Sequence, residues 1–334
     1  MNGLAAPECS CYNAAACLTS YMTKLSFPVV LAFFIGATAV AQATDAPDPA
    51  KLRLASANVL VLDAAGGQPI YAKAADEVTS IASLTKLMTA MVVLDGGQSL
   101  DDTIEIDVSD FDFLKGSSSR LRLGTQLTRR EMLRLALMSS ENRAASSVAR
   151  YYPGGAVAFV SAMNAKAQML GMHNTRFSDP TGLSPENVST ANDLAKMVRA
   201  AAEYPLIRDY STTPSAYVEV DPAGRMLGFN NSNRLVSSNG WEIKLQKTGY
   251  IREAGRCLVM LATIASKPVV IVLLDSIGKY TRLGDAERVK HWIETGDEMP
   301  EAIKRVVAHS KASTSLPKSR GPVRGTFKAV KSRR

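Results

Sequence analysis

The chain predicts an α+β domain, an antiparallel sheet flanked by helices with a helical subdomain inserted between its early and late strands. Three observations carry that reading. Strand-like runs lie near 56–73 and again near 242–276, and the stretch between them is largely helical in period. The late runs are joined by links too short for parallel crossovers, so they pair as antiparallel neighbours. With 334 residues, 46% of them hydrophobic and 21% charged, the chain can bury one large core or two modest ones.

The elements follow in order. SANVLVLDA (56–64) alternates into a turn at Gly66-Gly67 and returns as PIYAK (69–73), which is a hairpin pattern. IASLTKLMTAMVVLD (81–95) has no broad polar face and predicts a helix buried on most sides. TRREMLRLALMSSENRAASSVAR (128–150) is helical in pattern, as is GAVAFVSAMNAKAQMLG (155–171). TANDLAKMVRAAAEYP (190–205) is a helix capped by Thr190 and ended before Pro205. EIKLQKTGY (242–250), RCLVMLATIA (256–265) and PVVIVLLDS (268–276) are the late strands, and RLGDAERVKHWIE (282–294) is a final amphipathic helix. There are no internal repeats. A cleft is expected between sheet and insertion.

The two ends stand apart from this domain, which runs over 44–298. MTKLSFPVVLAFFIGATAVAQA (22–43) has a positive Lys24, an apolar run from Leu25 to Val40 and small residues at Ala39-Val40-Ala41 or Ala41-Gln42-Ala43. That order reads as a signal peptide covering 1–43, whose first 21 residues resemble no export signal and fit a start codon placed too early. A retained membrane anchor is the competing reading, because the apolar run is nearly long enough to span. Removing the leader also removes Cys9, Cys11 and Cys17, so the mature chain keeps Cys257 alone and has no internal disulfide. The cysteine trio offers no credible metal site, and none is expected elsewhere. Cys257 reads as a small buried hydrophobe.

The formal charge of +8 is concentrated at the other end. No acidic residue follows Glu301, while ten basic ones do, from Lys304 to Arg334. The segment 299–334 is rich in Ser, Pro and Gly and reads as a basic, disordered tail. It is either simply solvated or drawn to anionic lipid and polymer surfaces. Without interleaved aromatic residues it does not read as a nucleic-acid binder.

The chemistry centres on Lys86, the only charged residue between Ile81 and Leu94. Ser83 lies three residues earlier, so on a helix the two side chains are neighbours. A buried ammonium is costly and its pKa falls, which would let Lys86 take a proton from Ser83 and make the serine a nucleophile. If Ser83 sits at the helix start, free N–H groups and the helix dipole favour the negative charge that develops there. The plain alternative is an N-capping serine with a lysine reaching outward. S-x-x-K is a weak pattern on its own, since Ser276–Lys279 and Ser315–Lys318 also match.

Two further motifs select the first pair. Ser140-Glu141-Asn142 is an S-x-N element in the helical middle, although Ser56–Asn58 and Ser237–Asn239 match too. Lys247-Thr248-Gly249 is the one K-T-G in the chain and ends an alternating strand. S-x-x-K, S-x-N and K-T-G, in that order and in those contexts, form the set shared by penicillin-binding proteins and β-lactamases.

On these motifs, and on MSSENRAASS, DPTGLS and KTGYIREAGRC, the chain from about Lys51 to Ile293 resembles the low-molecular-mass penicillin-binding proteins of the D-alanyl-D-alanine carboxypeptidase family, the endopeptidase group in particular. The resemblance implies a β-lactamase/transpeptidase-like fold and hydrolysis of D-alanyl bonds in peptidoglycan stem peptides through an acyl-enzyme, with no cofactor. It implies that β-lactam antibiotics acylate the same serine, and a periplasmic location. Ser83 would be the nucleophile, Lys86 its base and Ser140 a proton relay to the leaving amine. Asn142 would hold the acyl-side amide, and Lys247 with Thr248 the substrate's carboxylate region. Gly249 would let the strand come close, and the N–H groups of Ser83 and Tyr250 would form the oxyanion hole. Glu141 is expected to point away.

Other readings stay open here. A D,D-carboxypeptidase would trim pentapeptides instead of cutting cross-links, though only about forty residues follow the last helix, too few for a second β-rich domain. A β-lactamase needs a deacylating glutamate, for which only Glu186 lies in the relevant loop. A non-catalytic wall-binding module would not need the intact motifs. With only His173, His291 and His309, and neither H-E-x-x-H nor G-x-S-x-G, a zinc peptidase or a Ser-His-Asp hydrolase lacks its parts.

Overall fold

The computed structural model describes residues 47–113, 115–220 and 224–300, all within one compact unit. The leader reading over 1–43 and the tail from 301 onward lie outside the described residues. Strands β1 (Asn58–Asp63) and β2 (Tyr71–Lys73) form the expected hairpin. The short strand β3 (Thr79–Ser80) then leads into a 3-10 turn, Ala82–Thr85, and helix α1 (Lys86–Asp95), in which Lys86 to Val93 are all buried. Helix α1 thus starts at Lys86, and Ser83 sits in the turn before it. Ser83 does not cap the helix, because neither helical end there has a side-chain cap.

A ribbon of β4 (Thr103–Glu105) and β5 (Gln126–Thr128) follows. The long helical pattern at 128–150 is two helices, α2 (Arg129–Met138) and α3 (Asn142–Arg150). The break is built locally. Ser140 has a φ of 60°, a left-handed conformation that non-glycine residues rarely adopt, and Glu141 turns to cap α3 by accepting from the Ala144 N–H. Helix α4 (Gly155–Met169) is followed by β6 (Val188–Ser189), which pairs with β3, and by α5 (Ala191–Ala202). Thr190 caps α5 as expected, accepting from the Asp193 N–H. Pro205 ends that pattern but starts another helix, α6 (Pro205–Thr212), since its missing N–H costs nothing at a first helical position.

After a β7 (Ser215–Glu219) and β8 (Met226–Asn230) ribbon, the chain enters β9 (Glu242–Ile251), β10 (Gly255–Ile264) and β11 (Lys267–Ser276), and ends in α7 (Thr281–Thr295). The main sheet runs β2-β1-β11-β10-β9, antiparallel throughout, with the helical insertion between β2 and β9. Strict alternation splits its strands between two cores. Val269, Ile271 and Leu273 pack with Leu283, Ala286, Val289 and Trp292 of α7, while Val270, Val272 and Leu274 join the larger core containing α1 and α5. Strand β9 is left as an edge beside that larger core, and the site lies there.

Candidate active site

Ser83 is held from two sides by backbone. Gly249 on β9 lies so close that a Cβ there would stand 2.9 Å from the Ile81 carbonyl oxygen and 3.2 Å from the Ser83 nitrogen. Gly182, with φ at 79°, comes closer still, for a Cβ would meet the Ala82 carbonyl oxygen at 2.0 Å. The K-T-G glycine therefore does what a close backbone approach requires, and the glycine of DPTGLS does the same from the opposite loop.

That loop is organised by Asp179. Its carboxylate accepts from the backbone N–H groups of Thr181, Gly182 and Ser184, and Asn187 ties it to Thr85. The outcome is a fixed Thr181 carbonyl beneath Ser83. Lys86 is fully buried, and its Nζ reaches three neutral oxygens: Ser83 Oγ at 2.9 Å, Asn142 Oδ1 at 2.7 Å and the Thr181 carbonyl at 2.6 Å. Burial lowers its pKa from 10.5 to about 8, against the opposing pull of the Asp179 and Glu141 carboxylates.

The second lysine is placed the same way. Lys247 is fully buried on β9 and donates to Ser140 Oγ and to the Thr248 carbonyl, each at 2.8 Å. Burial, then the charges of Lys86 and Arg282, hold its pKa well below the usual lysine value. The left-handed Ser140 backbone is what turns that hydroxyl out of both helices and towards β9. Asn142, the first residue of α3, also donates from Nδ2 to Ser117 Oγ at 3.0 Å. Thr248 Oγ1 donates to Ser232 Oγ at 2.7 Å.

An open cleft of about 620 Å³ brings these together, lined by Ser83, Ser140, Asn142, Thr248, Gly249 and Tyr250 among others. Six of the eight residues expected from the motifs thus face it, and Lys86 and Lys247 lie beneath. Glu141, expected to point away, is buried and caps α3, and its charge is still felt by Lys86. Glu186 is on the surface, paired with Arg176 at 2.5 Å. Of the competing motif matches, Ser56 and Ser276 are joined in a buried network with Asp285, and Ser315–Lys318 lies outside the described residues.

Several contributors carried no sequence signal. The Thr181 carbonyl is backbone, Ser117 and Ser232 belong to no short motif, and Asp179 opens DPTGLS, a stretch that carried the resemblance but no assigned role. Arg282, at the start of α7, lines the cleft while only 8% exposed, and its Nε and Nη1 have no hydrogen-bond partner. Burial, then the neighbouring Arg256, lowers its pKa to about 10. A guanidinium in the wall of a cleft suits an anion held there.

Chemically, a serine on a depressed lysine, a second serine on a second lysine and a guanidinium in the cleft wall suit acyl transfer to and from a carboxylate-bearing chain. The comparisons agree. The chain is 51% identical over 258 residues to a D-alanyl-D-alanine endopeptidase of Pseudomonas aeruginosa, covering 77% of this chain and 83% of that protein. Its fold matches the Streptomyces K15 DD-transpeptidase at a TM-score of 0.67 and 30% identity, over 72% of this chain and 98% of that one. It also matches the cefotaxime-bound penicillin-binding protein D2 of Listeria monocytogenes, at 0.63 and 26% identity, over 72% of this chain and 97% of that one. Residues 41–278 match the family described as D-alanyl-D-alanine carboxypeptidase, and to that family the chain belongs.

Proposed function

We propose that the protein is a serine D,D-endopeptidase that hydrolyses D-alanyl cross-links between peptidoglycan stem peptides through an acyl-enzyme on Ser83. The observation that carries this is Lys86 Nζ, buried 2.9 Å from Ser83 Oγ with its pKa lowered to about 8. In its neutral form Lys86 keeps two N–H donors for Asn142 Oδ1 and the Thr181 carbonyl. Its lone pair is then left facing the Ser83 hydroxyl, whose proton it accepts as Ser83 attacks the D-alanyl carbonyl. The N–H groups of Ser83 and Tyr250 receive the oxyanion, each such donor contributing roughly 3 kcal/mol. Ser140, polarised by Lys247, passes a proton to the leaving amine, and water then cleaves the ester.

Asn142 orients the acyl-side amide. The carboxylate beside the leaving amine meets Thr248, Lys247 and Arg282, the last filling a role that no motif indicated. A penicillin presents an acyl group and a carboxylate in the same relation, which supports covalent labelling of Ser83. Cross-link cleavage is favoured over pentapeptide trimming by the 51% identity to an endopeptidase. The leader-like 22–43 supports export to the periplasm, with 44–298 as the working domain and the basic 299–334 as a weak contact for anionic surfaces.

Mature protein incubated with a cross-linked muropeptide dimer and with a pentapeptide monomer tests this by mass spectrometry. Dimer should fall to monomers, and Ser83→Ala should abolish both that cleavage and penicillin labelling. Loss of one alanine from the pentapeptide with the dimer untouched would make the protein a carboxypeptidase.

A further inference from the structure

The segment Asn230–Asn233 between β8 and the following turn holds more hydrogen bonds than a connection needs. Asn231 Nδ2 donates to the carbonyls of Ser211 and Thr213, both at 2.9 Å, and its Oδ1 accepts from Gln246 Nε2 at 2.9 Å. Asn231 Oδ1 also accepts from the Asn233 N–H at 2.9 Å, and Asn233 Oδ1 accepts from the Leu235 N–H. Asn233 is itself fully buried. These bonds fix Ser232 between two elements of the active site. Its N–H donates to the Met138 carbonyl at 2.8 Å, two residues before Ser140, and its Oγ lies 2.7 Å from Thr248 Oγ1. One residue therefore joins the S-x-N side of the cleft to the K-T-G strand, by backbone on one side and by hydroxyl on the other.

We infer that Ser232 is a positioning residue for carboxylate recognition, setting the direction of the Thr248 hydroxyl. The inference rests on the acyl-enzyme reading above. A Thr248 hydroxyl that donates to Ser232 Oγ cannot donate to an anion at the same time, because it has a single proton. A serine hydroxyl both donates and accepts. When a carboxylate arrives, the pair reverses: Ser232 donates to Thr248 Oγ1, and Thr248 presents its proton to the carboxylate. A hydroxyl that accepts while it donates is a better donor than an isolated one. The Ser232 side chain thus holds the Thr248 rotamer and strengthens its hydrogen bond without touching substrate. Nothing in this exchange moves the Ser83–Lys86 proton, so acylation chemistry as such is untouched.

The test separates the carboxylate from the acyl group. Second-order acylation rates are measured for benzylpenicillin and for its methyl ester, on wild type, Ser232→Ala and Ser232→Thr, with Tm recorded for each. In Ser232→Ala the ratio of the two rates should fall about fivefold, the size expected when one hydrogen bond to a charged group is weakened. The ester rate should stay within twofold, and Ser232→Thr should restore the ratio. An unchanged or raised ratio would overturn the inference. So would an equal loss with both compounds, because a general collapse of the cleft moves both rates together. Should wild type itself resist acylation by benzylpenicillin, the function proposed above fails and this inference goes with it.

Discussion

The two faces of the main sheet are built from alternate residues of the same strands, yet they use burial differently. Behind the sheet, Leu258, Met260, Val269, Ile271 and Leu273 meet α7 around the fully buried Trp292, whose indole N–H is satisfied by the Asp48 carbonyl at 2.9 Å. The charge buried there, the Asp285 carboxylate of α7, is paired, with Arg288 at 2.7 Å and with the Ser56 hydroxyl. On the cleft side the larger core encloses Lys86 and Lys247 with no exposure, held by neutral oxygens, with both pKa values depressed. The rear face stabilises the fold. The cleft face gives up stability to bury two lysines with depressed pKa values, and a depressed Lys86 is what a base near neutral pH needs.

The sharpest way to break this contrast is Lys86→Met, which keeps side-chain length and removes the amine. Loss of the base should cut benzylpenicillin acylation by about 10²–10⁴-fold. Stability should barely move. Relief from burying a depressed lysine offsets the unmet acceptors on Asn142 and Thr181, so Tm should fall by no more than about 4 °C, equivalent to roughly 1 kcal/mol in a domain this size. A drop of 10 °C would mean that Lys86 is chiefly structural.

Trp292→Ala is the opposite experiment. Emptying that much of the rear core should cost about 3–5 kcal/mol, read in urea unfolding. The acylation rate per folded molecule should stay within twofold, because the cleft residue that α7 carries, Arg282, lies at the opposite end of the helix from Trp292. A matching loss of rate would show that the two faces are coupled and that the division drawn here is wrong.

The rear face was also the more legible one. β-Branched and apolar runs at 256–265 and 268–276 announce strands, and short links announce their pairing, because those interactions are local in sequence. Ser83, Lys86, Ser140 and Lys247 were readable for a different reason: each sits in a short motif whose spacing reflects one turn or one strand. The break at Ser140 was missed because Ser-Ser-Glu-Asn continues a helical pattern, and only the tertiary pull towards Lys247 makes a left-handed serine worthwhile. Helix α6 and the β4–β5 ribbon were missed as short elements with weak periodicity. The Thr181 carbonyl has no residue-type signal at all. Arg282 lies far from the motifs in sequence, and an arginine opening a helix has no meaning until the fold aims it into the cleft.

The smallest expected effect tests the cleft face through pH. Lys86 acts as a base only when neutral, and its folded pKa is about 8. Acylation should therefore rise with pH, about fivefold from pH 7 to pH 8, and level off above about pH 9. Stability should follow the same sign over a higher window. Between about 8 and the ordinary lysine value of 10.5, the unfolded chain holds more protons at this position than the folded one, so the contribution of Lys86 to stability improves with rising pH. Below about 8 the cost of burying its charge is fully present. Lys247 is depressed in part by the charge of Lys86, so Lys86→Met should raise the Lys247 pKa and flatten the acylation profile across pH 7–9. A wild-type profile that is already flat there would leave Lys86 charged or neutral throughout, and would remove the reason for burying it beside Ser83.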